Sequence, residues 1–294
     1  MSLAPLHPAA PPPLAVARAL LRRSLAGLGR VPLGPAVAAL VVAVYLVAAL
    51  APDLLQTHGP FKIDLKAILL PPSPDHWFGT DQTGRDLYSR VIAGAGQSLA
   101  LGLAATALSL AIALAFGLTA GLAGGDVDLV IARFLDVLFS FPTLFLALLF
   151  LAVFGTSITT QVVAVGVGTA PGYARMIRGQ VLAVKGAGYV EAARVLGHPP
   201  WRIALRHIVP NALRPLVVLM TLGVGQSIVW ASGLAFLGLG VAPPSPEWGA
   251  LLDAGRNYAI RAWWLELMPG LAIVGFALAV TVLGRHLRDR LEGK

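Results

Sequence analysis

Long apolar runs bounded by scattered basic residues constrain this chain more than any other feature. A bilayer's hydrocarbon core takes about 20 mainly apolar residues per helical crossing, and six stretches qualify: about 32–52, 96–122, 135–155, 157–175, 213–238 and 263–285. Only 12% of the residues are charged, half of the roughly one quarter that keeps a soluble domain wet. A soluble helical protein is therefore a poor reading. In lipid a helix satisfies its own backbone hydrogen bonds, so the expected fold class is all-α, a polytopic membrane protein with six transmembrane helices. The fourth stretch is the least apolar, with Pro171 and the small residues Gly166, Gly168, Ala170 and Gly172. Small residues favour close helix packing, which suits a span inside the bundle.

Charge then sets orientation. Net charge is +8, but the Lys and Arg residues lie between apolar runs instead of clustering on a wet domain with interleaved aromatics. That excludes nucleic acid as the expected partner and points to the bilayer. With both termini in the cytosol, sixteen of the 22 basic residues face inward, seven of them from Arg175 to Arg214. This is the asymmetry of the positive-inside rule. Residues 1–31 read as a cytosolic segment, in which Leu14–Arg30 carries Arg18, Arg22, Arg23 and Arg30 among leucines. Such a helix suits an anionic membrane surface. The absence of acids before Asp53 also fits a transit peptide, whereas Pro11, Pro12 and Pro13 fit a cleaved signal peptide poorly.

The expected division is a first span at 32–52, an external loop at 53–95, a core transmembrane domain at 96–286 and a cytosolic tail at 287–294. Within the core, an inner loop runs from 176 to 212. Loops this long usually carry function. No internal repeat is visible, and ionisable residues enter the spans only near their ends, as Asp136 and Glu266. Ion-coupled carriers usually place such groups at mid-membrane, so a secondary carrier is the weaker alternative. There are no cysteines, no His pair at H-x-x-x-H spacing, no nucleophile elbow and no phosphate-binding P-loop. No metal, cofactor or catalytic residue is expected, and energy for uphill transport has to come from another protein.

The inner loop offers a place for it to arrive. Tyr189-Val-Glu-Ala-Ala-Arg-Val-Leu-Gly197 reads as a short helix, with Glu191 early, Arg194 at i+3 and Gly197 at a left-handed C-cap. Ala192 and Ala193 let another surface approach the backbone. His198-Pro199-Pro200 breaks the run. Trp201–Ile208 resumes it with Arg202 and Arg206 on one face, and Pro210 closes it.

Glu191-Ala192-Ala193, then Gly197, then Ile208 and Pro210, resemble the signature loop of ABC importer permeases. Phe78-Gly-Thr-Asp-Gln-Thr-Gly-Arg-Asp86 with Ser89-Arg90 resembles the segment before the second span in the dipeptide, oligopeptide and nickel branch. Phe236-Leu-Gly-Leu-Gly-Val-Ala-Pro-Pro-Ser-Pro-Glu-Trp-Gly249 resembles the segment after the fifth, and Asp136-Val-Leu-Phe-Ser-Phe-Pro142 also fits. The likeness covers about 30–290 and is nearest the C-type permease. One departure is Trp230, where the family pattern has an acid.

The resemblance implies a type I importer permease fold and a bacterial plasma-membrane location. It implies a sibling permease as heterodimer partner, two ATP-binding domains or one fused ATPase holding ATP and Mg, and an extracytoplasmic substrate-binding protein. Glu191, Ala192, Ala193, Arg194 and Gly197 would couple to the ATPase. Asp81, Gly84, Arg85, Asp86, Pro244, Trp248 and Gly249 are the candidate outer residues. Dipeptides or oligopeptides are the expected cargo, with nickel or another small solute as the alternative. On the residues alone, Thr80-Asp81 also fits a helix cap, Gly84-Arg85-Asp86 a turn, and Pro243-Pro244-Ser245-Pro246 a stiff connector. Gln161, Gln226, Ser227 and Ser232 suit interhelical hydrogen bonds better than a pathway.

Overall fold

The computed structural model describes residues 32–214 and 216–291. The expected amphipathic helix at 14–30 lies outside them. Among the described residues there is no strand, only an isolated bridge between Thr80 and Asp86. The longer elements are α1 (Leu33–Leu50), α2 (Leu87–Ala123), α3 (Gly125–Ser140), α4 (Thr143–Phe154) and α5 (Ile158–Lys185). Short helices follow as α6 (Gly188–Val195), α7 (Pro200–Ile203) and α8 (Val209–Leu213), and the described residues continue through α9 (Leu216–Leu234), α10 (Trp248–Arg256) and α11 (Trp264–Leu291).

Four stretches are long and apolar enough to cross a bilayer unaided: Leu33–Leu50, Leu87–Ala123, Val218–Leu239 and Trp264–Arg290. The stretch expected as one span at 135–155 is instead the pair α3 and α4, bent by 84°. Pro142 causes the break. Its ring disfavours helical backbone at the preceding residue, and Phe141 is extended at φ −81°, ψ 128°. The stretch expected at 157–175 belongs to α5, 28 residues long and unbroken through a buried Pro171. Its Thr, Gln and Gly content leaves it less apolar than the other spans, consistent with a place inside the bundle.

α2 is the axis on which the rest is built. Its 37 residues make a rod of about 55 Å, longer than the roughly 30 Å hydrocarbon core, so its ends project. It starts at Leu87, not at 96, because Asp86 accepts the Ser89 amide at 2.8 Å and caps it. The stretch expected as the external loop thus ends at 86. Gly102, Ala105, Ser109, Ala113, Gly117 and Ala120 are buried along one side of α2, and this small-residue stripe lets α5 and α9 approach closely. Thr106 and Ser227 hydroxyls meet at 3.0 Å, Thr169 donates to Ser109 at 2.9 Å, and Gln161 donates to the Ala231 carbonyl at 3.0 Å.

Tyr45 fixes α1 to α11 by donating to the Ala272 carbonyl at 2.9 Å, and its ring meets Trp248 and Phe276 edge-on. At the opposite end, Lys185 donates to the Gly121 and Leu122 carbonyls at 3.0 and 3.1 Å. A cation there complements the carbonyl end of α2. α5 therefore carries the chain to Lys185 before the inner loop turns, well past the expected boundary at 176.

Candidate functional site

Two places on the molecule bring the sequence motifs together: a short helix at the end that charge asymmetry assigns to the cytosol, the inner end, and a platform at the opposite, outer end.

At the inner end, α6 stands between α5 and α7. Val190 and Ala193 are buried in an apolar cluster with Ile177, Val181, Ile203 and Ile208. The other side of the same helix turns outward, with Glu191, Ala192 and Arg194 exposed. Val195 is 83% exposed, Leu196 75% and Trp201 63%. An apolar patch of this kind outside the spans marks an interaction surface. Gly197 ends α6 at φ +74°, where its amide donates to the Arg194 carbonyl at 2.9 Å and the His198 amide to Ala193 at 3.2 Å. Both bonds close the helix in the manner of a left-handed glycine cap. Among the described residues, its chain neighbours aside, no atom lies within 4 Å of where a Gly197 side chain would begin.

The stretch after the His198-Pro199-Pro200 break differs from a simple helix ended by Pro210. α7 gives way to a π-helical turn at Ala204–Ile208, and α8 then includes Pro210 in its first turn. Proline lacks an amide hydrogen, which costs nothing at a helix start. The wider π turn, in which the Val209 amide reaches Ala204, resets the hydrogen-bond register ahead of it. A groove of about 530 Å³ runs beneath, lined by Lys185, Arg194, His198 and Trp201 among others.

At the outer end, Asp81 organises the first motif. Its carboxylate accepts from the Thr83 amide and hydroxyl, the Arg85 amide and Arg85 Nε, the last at 2.7 Å. Gly84 turns the chain at φ +76°, and an added Cβ would stand 1.7 Å from the Asp64 carbonyl oxygen. Asp86, not Thr80-Asp81, caps α2, and its other oxygen lies 2.9 Å from His76 Nδ1. Arg90 then joins the two outer motifs, donating to the carbonyls of Pro244 and Ser245 at 3.3 and 3.2 Å.

The second motif closes onto the same surface of α2. Trp248 is fully buried and donates from its indole to the Val91 carbonyl at 2.8 Å. Its amide donates to Ser98 at 3.0 Å. Glu247 caps α10 through the Gly249 and Ala250 amides, both at 2.9 Å. Burial pushes the Glu247 carboxyl up from its ordinary value, against the pull of those amides and of Ser98. Pro244, Trp248 and Gly249 are thus joined to the Asp81–Asp86 loop through α2. Arg90, Ser98 and Glu247 were absent from the candidate set, because their partners lie about 150 residues away.

Between the two ends, a cavity of about 250 Å³ is lined by Phe139, Thr143, Tyr173, Gln226 and Trp230. Tyr173 donates to Gln226 at 3.2 Å, so Gln226 faces open space while Gln161 and Ser227 serve packing. Asp136 pairs with Arg175 at 2.9 Å, and the same guanidinium stacks 4.1 Å over Phe139.

Residues 90–293 match the family described as binding-protein-dependent transport system inner membrane component. The chain is 41% identical over 256 residues to the probable D,D-dipeptide transport system permease protein of Escherichia coli K12, covering 87% of this chain and 86% of that one. It is 41% identical to a glutathione transport system permease protein of Pectobacterium atrosepticum, covering 76% and 74%. A dipeptide transport system permease protein of Alkalihalophilus pseudofirmus is 34% identical, covering 87% and 84%. In solved structures the fold recurs in an amino acid ABC transporter, at TM-score 0.57 and 20% identity over 68% of this chain and 94% of that one. The methionine ABC transporter in an inward-facing form gives TM-score 0.57 at 18% identity, over 69% and 96%.

Proposed function

The chain belongs to the family of binding-protein-dependent transport system inner membrane components, and from that premise we propose that it is one half of the translocation pore of an ATP-driven importer of dipeptides or oligopeptides. The observation that carries this reading is α6, anchored by Val190 and Ala193 and leaving Glu191, Ala192, Arg194, Val195 and Leu196 exposed. It is a rigid element on which a moving partner can pull. The peptide cargo rests on the relatives named for dipeptide and glutathione transport.

The partners are a sibling permease, two ATP-binding domains or a fused ATPase, and an external binding protein. ATP and Mg are held by the ATPase, and this chain performs no catalysis. Closure of the ATPase dimer draws the two coupling helices together and rocks the bundles between inward- and outward-open states. Allosteric coupling of this kind requires an element whose position differs between the two states. Both termini lie in the cytosol, and the platform that the buried Asp81, Gly84, Arg85, Asp86, Trp248 and Gly249 hold together, with Pro244 on its surface, receives the binding protein outside.

Reconstitution tests the proposal. In liposomes the chain alone is expected to neither hydrolyse ATP nor move peptide. ATP hydrolysis appears with the ATPase subunits, and peptide uptake only with the complete set. Proton- or sodium-driven uptake by the lone chain would restore the carrier reading.

A further inference from the structure

His58 and His76 stand 18 positions apart in sequence, yet both converge on Asp86 at the outer end of α2. His76 Nδ1 lies 2.9 Å and His58 Nδ1 3.9 Å from the same Asp86 oxygen, Oδ1. All three potential ligand atoms fall within 4.8 Å of one another. We propose that His58, His76 and Asp86 bind a divalent transition-metal ion of the zinc class.

The three side chains are held by a built frame. The Thr57 and His58 amides donate to the Ser89 hydroxyl at 3.2 and 3.0 Å, fixing the backbone that carries His58. The His76 amide donates to Ser73 Oγ at 3.1 Å, and its carbonyl accepts from Ser73 and Gly79. Asp86 is buried, and the Ser89 amide holds its Oδ2 at 2.8 Å. That leaves Oδ1 toward the histidines. Hydrogen-bonded supports of this kind are what orient metal ligands.

Ligand chemistry selects the metal. Two imidazole nitrogens with one carboxylate suit zinc, nickel or copper better than magnesium or calcium, which prefer all-oxygen shells. With bonds of about 2.0–2.2 Å, tetrahedral ligand atoms stand about 3.3–3.6 Å apart. The cluster therefore has to close by about 1 Å between its farthest members. His58 can supply that movement, since its side chain is 40% exposed. Thr57 Oγ1, 3.0 Å from His58 Nδ1, also lies 3.4 Å from Asp86 Oδ2 and can turn to the carboxylate. Three protein ligands leave one position for water or for a group on a docked protein. The ion would clamp the segment after α1, the turn at His76 and the start of α2 into one outer piece.

The test is zinc titration of the purified full chain in detergent, chelator-stripped and carrying no polyhistidine tag, read by calorimetry and by melting temperature. One ion per chain is expected, with affinity falling at least about tenfold in His58→Ala and in His76→Ala. Zinc should raise the melting temperature of the wild type but not of His58→Ala, whose metal-free melting should match the wild type. His58→Asn serves as a second variant if the alanine form does not fold. The control is the stacked inner pair, His198 and His207: a double alanine variant there should keep full binding. Binding should also weaken in acid, since histidine must be deprotonated to ligate. No saturable binding, or binding unchanged in His58→Ala, overturns the proposal.

Discussion

Two glycines with nearly the same backbone angle make opposite predictions. Gly84 and Gly197 sit at φ +76° and +74°, where a Cβ costs about 1 kcal/mol. At Gly84 that Cβ would also meet the Asp64 carbonyl at 1.7 Å, whereas at Gly197 it meets nothing among the described residues beyond its chain neighbours. Gly84→Ala should therefore lower the melting temperature of the isolated chain well beyond the backbone term. Gly197→Ala should lower it by that term alone. Gly197→Asp should still accumulate in the membrane, but it places a carboxylate in the proposed docking surface. An unpaired buried charge costs several kcal/mol more, so ATPase association and import should be lost. Membrane levels by immunoblot, ATPase co-purification and peptide uptake check this, and full import by Gly197→Asp at normal levels would remove the coupling role. Gly197 was legible in the sequence because its cap is local, three residues from its partner. The contact at Gly84 was not, because Asp64 approaches through the fold of a loop without regular structure.

At the scale of the element, α6 has two faces with different duties. Ala193 is 4% exposed against α5, while Ala192 faces outward. Ala193→Leu should overpack the cluster and destabilise the chain by about 1–3 kcal/mol, read as a lower melting temperature in detergent. Ala192→Leu should leave melting nearly unchanged, as exposed substitutions usually do within about 0.5 kcal/mol, yet weaken co-purification of the ATPase. Equal effects of the two on melting would mean that α6 has no free face. The existence of this helix followed from its sequence, through Glu191, Arg194 and Gly197. The bend between α3 and α4 did not, although Pro142 was in view. Apolar periodicity reports that a stretch is buried in lipid or protein, and carries nothing about the direction in which it leaves a proline. The π turn ahead of Pro210 was hidden for the same reason: a proline announces a missing donor, and the fold decides whether the helix stops or shifts register.

For the whole molecule, the apolar runs were enough to indicate an all-helical membrane bundle, since few other folds tolerate so little charge. What they could not indicate is how the outer segments join. Arg90 reaches Pro244 and Ser245, and Trp248 reaches Val91, across more than 150 positions, and no local pattern encodes such pairings. Orientation rests on charge asymmetry alone, so it needs its own measurement. The natural absence of cysteine makes single-cysteine labelling clean. Lys62 is exposed in the loop between α1 and α2, and Arg290 is exposed near the end of α11. If the sixteen inward basic residues set the topology, Lys62→Cys should react with a membrane-impermeant maleimide in spheroplasts. Arg290→Cys should react only after permeabilisation. The reverse pattern would place α6 outside the cell, beyond reach of any ATPase, and would end the coupling argument whatever the platform binds. With the expected pattern, α6 and the platform lie on opposite sides of the membrane, joined by α2. An import machine requires that arrangement, with cargo arriving at one end and ATP-driven movement at the other.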